Sequence, residues 1–257
     1  MIVEFIGCTG SGKTTLINHV RSRLAETTQV VTAHELVAGR LSLGVAAHPT
    51  RRNLIEELAG LPFFLGSIPR HQAFIAHTVR LFTRNSRLSL TAINNLRSLE
   101  RKIGGYEIIM RQHSDTIVLV DEGPIQAAHM FAYSLALPSL WDIGRFADLV
   151  PLPDLILYVR SPVDTLVKRT LGRSDPPREM RSKYAATTEI YVRCAVNVFD
   201  RLVQSDNLRS RVLIVENTDQ MQPMYSDLVE QVAQYILNRG PAHYQTILPD
   251  RLIPEPS

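Results

Sequence analysis

The 257-residue chain balances 28 lysines and arginines against 25 aspartates and glutamates, a net charge of +3, and is 45% hydrophobic and 21% charged. These proportions are those of a folded globular chain and exclude a disordered or fibrous one, and no apolar run approaches the roughly 20 residues that cross a bilayer, so no membrane partner is expected. Two cysteines, Cys8 and Cys194, exclude a disulfide framework and lead us to expect a reducing, cytoplasmic setting.

Taken in order, the chain opens on Ile2-Val3-Glu4-Phe5-Ile6, a short run rich in β-branched and aromatic residues that reads as a buried strand. It starts so near the N-terminus that no signal or transit peptide is expected. Gly7-Cys8-Thr9-Gly10-Ser11-Gly12-Lys13-Thr14 follows and fits the phosphate-loop pattern G-x-x-x-x-G-K-[ST] without a mismatch. Behind it, Thr15 leads into a run with Leu16, Ile17 and Val20 at helical spacing. Strand, glycine loop and helix together predict a site whose backbone N–H groups and helix N-terminus cradle the phosphates of a nucleoside triphosphate. Residues 7–15 would line it. Lys13 would reach the β- and γ-phosphates, and the Thr14 hydroxyl would ligate Mg²⁺. The helix N-terminus would lower the thiol pKa of Cys8, which makes oxidative control conceivable.

A second strand is expected within residues 28–33, ending at His34-Glu35. From there to about residue 113 the patterns are helical and punctuated by Gly and Pro: 53–59, then 72–83, then 88–103, with Gly104-Gly105 breaking the run before a further helix over 106–112. This stretch of about 50–113 reads as a helical insertion on the acceptor side of a single domain spanning 1–239. It carries Arg51, Arg52, Arg70, Arg80, Arg84, Arg87, Arg97, Arg101, Lys102 and Arg111 against only four acids. Solvated helix surface and an anionic partner both account for such a run. Thr116 to Asp121 is apolar up to its last residue, as a strand covered on both faces would be. Gly123-Pro124 opens a helix through Tyr133. Residues 153–160 form another buried strand, and Ser161-Pro162 starts a helix over 163–171. The polar loop of about 172–181, Gly172 to Arg181, reads as a lid, followed by a long helix over 178–202. Strand 211–216 and helix 225–238 complete the domain, and 240–257 is a proline-containing tail. Five strands alternating with helices predict an α/β fold with a doubly wound parallel sheet, and ligands beyond the carboxyl ends of its strands.

Asp121 closes the 117–120 strand, where a carboxylate can hold Mg²⁺ beside Thr14. Glu122 after it admits a water-polarising role, as in hydrolytic ATPases, or none beyond its helix N-terminus. Arg169 and Arg173 flank the end of one helix, with Arg178 and Arg181 beyond the Pro176-Pro177 break. Arginines on a closing loop suit phosphoryl transfer, which needs charge stabilisation and exclusion of water.

In this placement, and in Pro153 to Val159, Pro162-Val163-Asp164 and Lys168-Arg169, the chain resembles the nucleoside and nucleoside-monophosphate kinases, including thymidylate kinase and the deoxynucleoside kinases. The resemblance spans about residues 1–219. It implies an ATP- and Mg²⁺-dependent cytoplasmic transferase, with Lys13 and Asp121 in catalysis and Arg169 and Arg173 stabilising the transition state. Glu35 would take the acceptor proton, with His34 as a rival base, and Asn217 would lie along the adenine. One departure is clear. Where thymidylate kinases carry Asp-Arg-Tyr and deoxynucleoside kinases Glu-Arg-Ser, this chain has Asp121-Glu122-Gly123, so the arginine that meets the acceptor is missing. The resemblance implies transfer to a hydroxyl or phosphate acceptor, first of all a nucleoside or nucleotide, with a nucleic-acid hydroxyl and another small hydroxylated metabolite as the alternatives. Outside the kinases stand a hydrolytic ATPase using Asp121-Glu122 and a nucleotide-binding regulatory protein. A homodimer is compatible with any of these.

Overall fold

The computed structural model describes residues 1–40, 49–84, 90–111, 116–134, 139–173, 185–218 and 225–239. Five strands, β1 (Ile2–Ile6), β2 (Val30–Thr32), β3 (Ile117–Val120), β4 (Leu155–Arg160) and β5 (Val212–Glu216), form one sheet in the order β2-β3-β1-β4-β5. Every neighbouring pair runs parallel. The chain leaves β1 to one side for β2 and β3, then crosses to the other for β4 and β5. The crevice beyond the carboxyl end of β1 is therefore where a ligand of such a sheet binds.

Helices cover both faces because the central strands are apolar on both. On one side Val3, Phe5, Leu119, Leu155 and Leu157 pack with α1 (Lys13–Leu24) and α9 (Tyr225–Asn238). On the other, Ile6, Ile156 and Tyr158 meet Phe74 and Phe82 of α3 (Pro49–Arg84), Leu99 and Ile103 of α4 (Leu90–Met110), and the 3-10 helix Ile125–Ser134. Phe146 of α5 (Leu140–Leu149) and Phe199 of α7 (Ala185–Val203) complete that core. The short α8 (Asp206–Arg209) precedes β5. No helix among the described residues is long and apolar enough to cross a membrane.

Four local expectations change. The stretches expected as separate helices over 53–59 and 72–83 are one continuous α3 with Pro62 and Pro69 inside it. Both prolines stand exposed, as do Leu58 and Leu65 four residues before them, so water can take the carbonyls that the missing N–H groups release. Likewise α4 runs unbroken through Gly104-Gly105. There α3 and α4 touch backbone to backbone, and a Cβ on Gly104 would stand 2.5 Å from the Gly60 carbonyl oxygen. His34 and Glu35 lie in the first turn of α2 (Ala33–Arg40), directly after β2, and not in a loop. The helix expected after Gly123-Pro124 is a 3-10 helix. Helix α6 (Val163–Leu171) ends as expected, with Gly172 as its C-cap. Residues 174–181 of the expected lid, with Arg178 and Arg181, the first residues of the helix expected over 178–202, up to 184, and the tail 240–257 lie outside the described residues.

Candidate active site

The phosphate loop joins β1 to α1, and its shape is held from several directions. Gly7, Gly10 and Gly12 all have positive φ. At Gly7 a Cβ would run into the Val159 carbonyl of β4, and at Gly12 into the Asn217 amide, so glycine is required at both by space as well as by backbone angle. Gln126 brackets Gly7: its Oε1 accepts from the Gly7 N–H at 3.0 Å and its Nε2 donates to the Gly7 carbonyl at 3.1 Å. The Thr9 hydroxyl meets His129 Nε2 at 3.2 Å, and His129 also bonds the Tyr191 hydroxyl. Arg169 donates to the Gly10 carbonyl at 3.2 Å and Asn217 Nδ2 to the Ser11 carbonyl at 2.7 Å. Ser161 Oγ in turn donates to the Asn217 carbonyl at 2.6 Å.

What this loop offers a ligand is positive. Helix α1 begins at Lys13 with Gly12 as N-cap and no side chain bonding its first-turn amides, so the N–H groups of Lys13, Thr14 and Thr15 are left for an outside acceptor. The Ser11 hydroxyl is buried without a partner. Lys13 Nζ donates to the Gly7 and Cys8 carbonyls at 2.9 and 3.2 Å. Desolvation lowers its pKa, and Asp121, Cys8 and Glu122 oppose that shift. An anion arriving at the loop would satisfy these donors, so the residues present fit a triphosphate. Cys8 is sealed in the core, and burial pushes its thiol up to about 12. Desolvation outweighs the loop position that would activate this thiol.

At the mouth, Thr14 Oγ1 donates to Asp121 Oδ2 at 2.8 Å. This juxtaposes the two oxygens expected to hold Mg²⁺, an ion that keeps most of its shell as water and phosphate and asks few protein ligands. The described residues hold no cluster of three or more His, Cys, Asp or Glu suited to a metal. Gly123 is explained by its neighbour, since the Glu4 carboxyl of β1 fills the space a Cβ there would need.

Beyond Thr14 and Asp121 opens a cleft of about 250 Å³ whose walls include Asn18, Arg21, His34, Glu35, Glu56, Arg101, Lys102, Tyr106 and Glu122. Glu35 accepts from Arg21 at 2.6 Å and from the Thr32 N–H and hydroxyl at 2.9 and 3.0 Å. His34 Nδ1 meets Glu56 at 2.9 Å. Lys102, nearly buried, donates to the Glu122 carboxylate at 3.3 Å, and Arg101 lies 3.7 Å from the same group. Lys102 above all, with Arg101, holds the Glu122 carboxyl far below its usual range, at about 2.

The structure thus brings Thr14, Asp121 and Glu35 around one crevice, with Lys13 behind them bonded to the loop carbonyls and Thr15 on the exposed side of the first turn of α1. Arg169 and Asn217 lie behind the loop, bonded to its carbonyls, and Arg173 stands exposed beyond α6. Sequence reasoning passed over Gln126, His129, Arg21 and Glu56. Arg21 was open to discovery, because Thr14, Asn18 and Arg21 stand four and three residues apart and share one helix face. Arg101 and Lys102 stood unremarked within the basic run.

No family model matches the chain, and no curated relative matches it. Among solved structures it is similar to a deoxyadenosine kinase from M. mycoides with products dCMP and a flexible dCDP bound, at 12% identity over 92% of this chain and 100% of that one, with a TM-score of 0.49. It is also similar to a shikimate kinase from Acinetobacter baumannii in complex with shikimate, at 14% identity over 92% and 93% of the two chains, with a TM-score of 0.42. Likeness this distant assigns no activity or substrate, and the chemistry that follows is drawn from this chain's own residues.

Proposed function

We propose that the protein is an ATP-dependent kinase that moves the γ-phosphoryl group of ATP to a hydroxyl acceptor bound in the cleft beyond Asp121. The observation that carries this is one crevice holding a phosphate loop with an uncapped helix N-terminus, a bonded Thr14–Asp121 pair and the Glu35 carboxylate. Lys13 and the loop amides hold the β- and γ-phosphates. Thr14 and Asp121 hold Mg²⁺, which when bound offsets charge on the phosphate oxygens. Glu35, oriented by Arg21 and Thr32, accepts the proton of the attacking hydroxyl. Arg169 keeps the loop in shape through Gly10, and Arg173, free of that duty at the end of α6, approaches the transferred group. Asn217 supports the loop through the bond of its side-chain amide to the Ser11 carbonyl.

A hydrolytic ATPase would use Glu122 to polarise water. That carboxylate is already engaged by Lys102 at 3.3 Å, with Arg101 at 3.7 Å, which supports transfer over hydrolysis. The test is ADP release with and without acceptors, in the wild type and in Lys13→Ala. Acceptor-dependent release that Lys13→Ala abolishes in a folded protein is expected. Phosphate released equally in every tube, or normal turnover in Lys13→Ala, would overturn the assignment.

A further inference from the structure

Among the described residues, the charges of the acceptor cleft pair with one another. Its described walls contribute four carboxylates, Glu35, Glu56, Asp121 and Glu122, and three permanent cations, Arg21, Arg101 and Lys102. Each cation is already matched: Arg21 to Glu35 at 2.6 Å, Arg101 to Glu56 and Glu122 at 3.6 and 3.7 Å, and Lys102 to Glu122 at 3.3 Å. With Asp121 given to Mg²⁺, a phosphate dianion entering here would meet three carboxylates and three cations, and each of those described cations already has a carboxylate partner. To pair, it would have to draw a cation away from the carboxylate that cation already serves.

A hydroxylated molecule meets the opposite situation. Every hydroxyl is donor and acceptor at once, and these walls alternate carboxylate acceptors with guanidinium and ammonium donors. One polar atom is also left over: His34 is nearly buried, its Nδ1 meets Glu56, and its Nε2 has no partner. Such an atom is costly unless a ligand or water satisfies it. Aromatic stacking, which holds a nucleobase, has little to work with. Tyr106 is the aromatic residue among the described walls, and it is almost buried, with its hydroxyl donating to the Leu152 carbonyl at 2.7 Å.

We infer that the acceptor is an uncharged polyhydroxylated small molecule, of the sugar or cyclitol class, and neither a nucleoside monophosphate nor a nucleoside. This rests on the kinase reading above. In the step, the acceptor O–H gives its proton to Glu35 and its oxygen bonds to the γ-phosphorus. The bond from that phosphorus to the β,γ-bridging oxygen breaks, and the electron pair leaves with ADP. The products are a phosphate monoester and ADP. His34 positions the acceptor through Nε2.

The experiment incubates the full chain with γ-labelled ATP and Mg²⁺ against cyclitols, hexoses and pentoses, their monophosphates, nucleosides, nucleoside monophosphates and oligonucleotides. Label on an uncharged cyclitol or sugar is expected, with at least a tenfold lower kcat/KM for its monophosphate. His34→Ala should then raise KM for that acceptor several-fold and leave KM for ATP unchanged. Label confined to nucleosides, nucleotides or nucleic acid overturns the acceptor class but keeps the kinase. Label on none of the panel overturns the acceptor class as well. If free phosphate then appears without any acceptor, the kinase reading falls with it.

Discussion

At the scale of single residues, the phosphate loop depends on side chains that no motif names. Gln126 satisfies both backbone groups of Gly7, and its own N–H donates to Glu4 at 2.9 Å, so one residue ties the loop to the central strand. Lys13 shares the Gly7 carbonyl. If the lysine turns to a phosphate, Gln126 still fills that acceptor. Gln126→Ala would strand a buried N–H, at a cost of about 1–3 kcal/mol, and loosen the loop. The expected result is a lower thermal midpoint together with a raised KM for ATP. A lower midpoint with an unchanged KM would reduce Gln126 to a packing residue. Glu35 makes a different prediction, because its bonds to Arg21 and Thr32 orient it without serving the loop. Glu35→Gln should lower turnover by about 10²-fold with little change in ATP affinity. An unchanged rate would move the proton to His34 or remove the need for a base.

At the scale of elements, one wall of the proposed acceptor cleft is set by how α4 lies on α3. Helix α4 presents Arg101 and Lys102 to the cleft one turn before Gly104, where the two helices meet through the Gly60 backbone. Gly104→Ala would force them apart, a strain of about 1–3 kcal/mol, and would draw both cations away from Glu122. KM for the acceptor should rise while KM for ATP holds, since the phosphate loop belongs to other elements. Equal changes in both constants would argue against α4 as the acceptor wall. The same contact shows where sequence reading stops. Apolar strands flanked by a glycine loop or a Ser-Pro start are local signals, and β1, β3, β4 and α6 were legible from them. Gly104-Gly105 and Pro62 and Pro69 are breakers by local rules. Their tolerance depends on partners far away in the chain, a facing glycine in one case and open solvent in the other. Lys13, Thr14, Asp121 and Glu35 were legible because strand ends converge in a parallel sheet. Gln126, His129 and Glu56 were not, because they reach the site from helices whose packing no spacing reveals.

At the scale of the whole molecule, buried titratable groups on the α3–α4–α7 face link stability to pH in opposite senses. Glu4, enclosed on β1, has its carboxyl pushed from an ordinary 4.5 to about 7 by burial, which outweighs the Gln126 and Lys102 interactions. The folded state therefore keeps a proton that the unfolded chain loses. This contribution is complete below pH 4.5 and disappears as pH rises through about 7, a loss of about 3 kcal/mol. Glu100, which burial and then Glu57 also push to about 7, acts in the same direction. His129 is opposite. Burial, with Lys13 adding, holds it down at about 3 from an ordinary 6.5, so the unfolded chain binds a proton that the folded one refuses, and stability falls as pH drops below 6.5 towards 3. Between pH 4.5 and 6.5 the two senses oppose each other, whereas from 6.5 to just above 7 only the carboxyls still act, and stability should decline there. Glu4→Gln keeps an oxygen to accept from Gln126 and removes the titration. Denaturant unfolding at pH 5, 6.5 and 8 should show the variant gaining on the wild type at each step, by about 3 kcal/mol at pH 8 relative to acid. Curves that run parallel for the two proteins would mean that Glu4 is ionised in the fold, balanced by Lys102 and not kept neutral by burial.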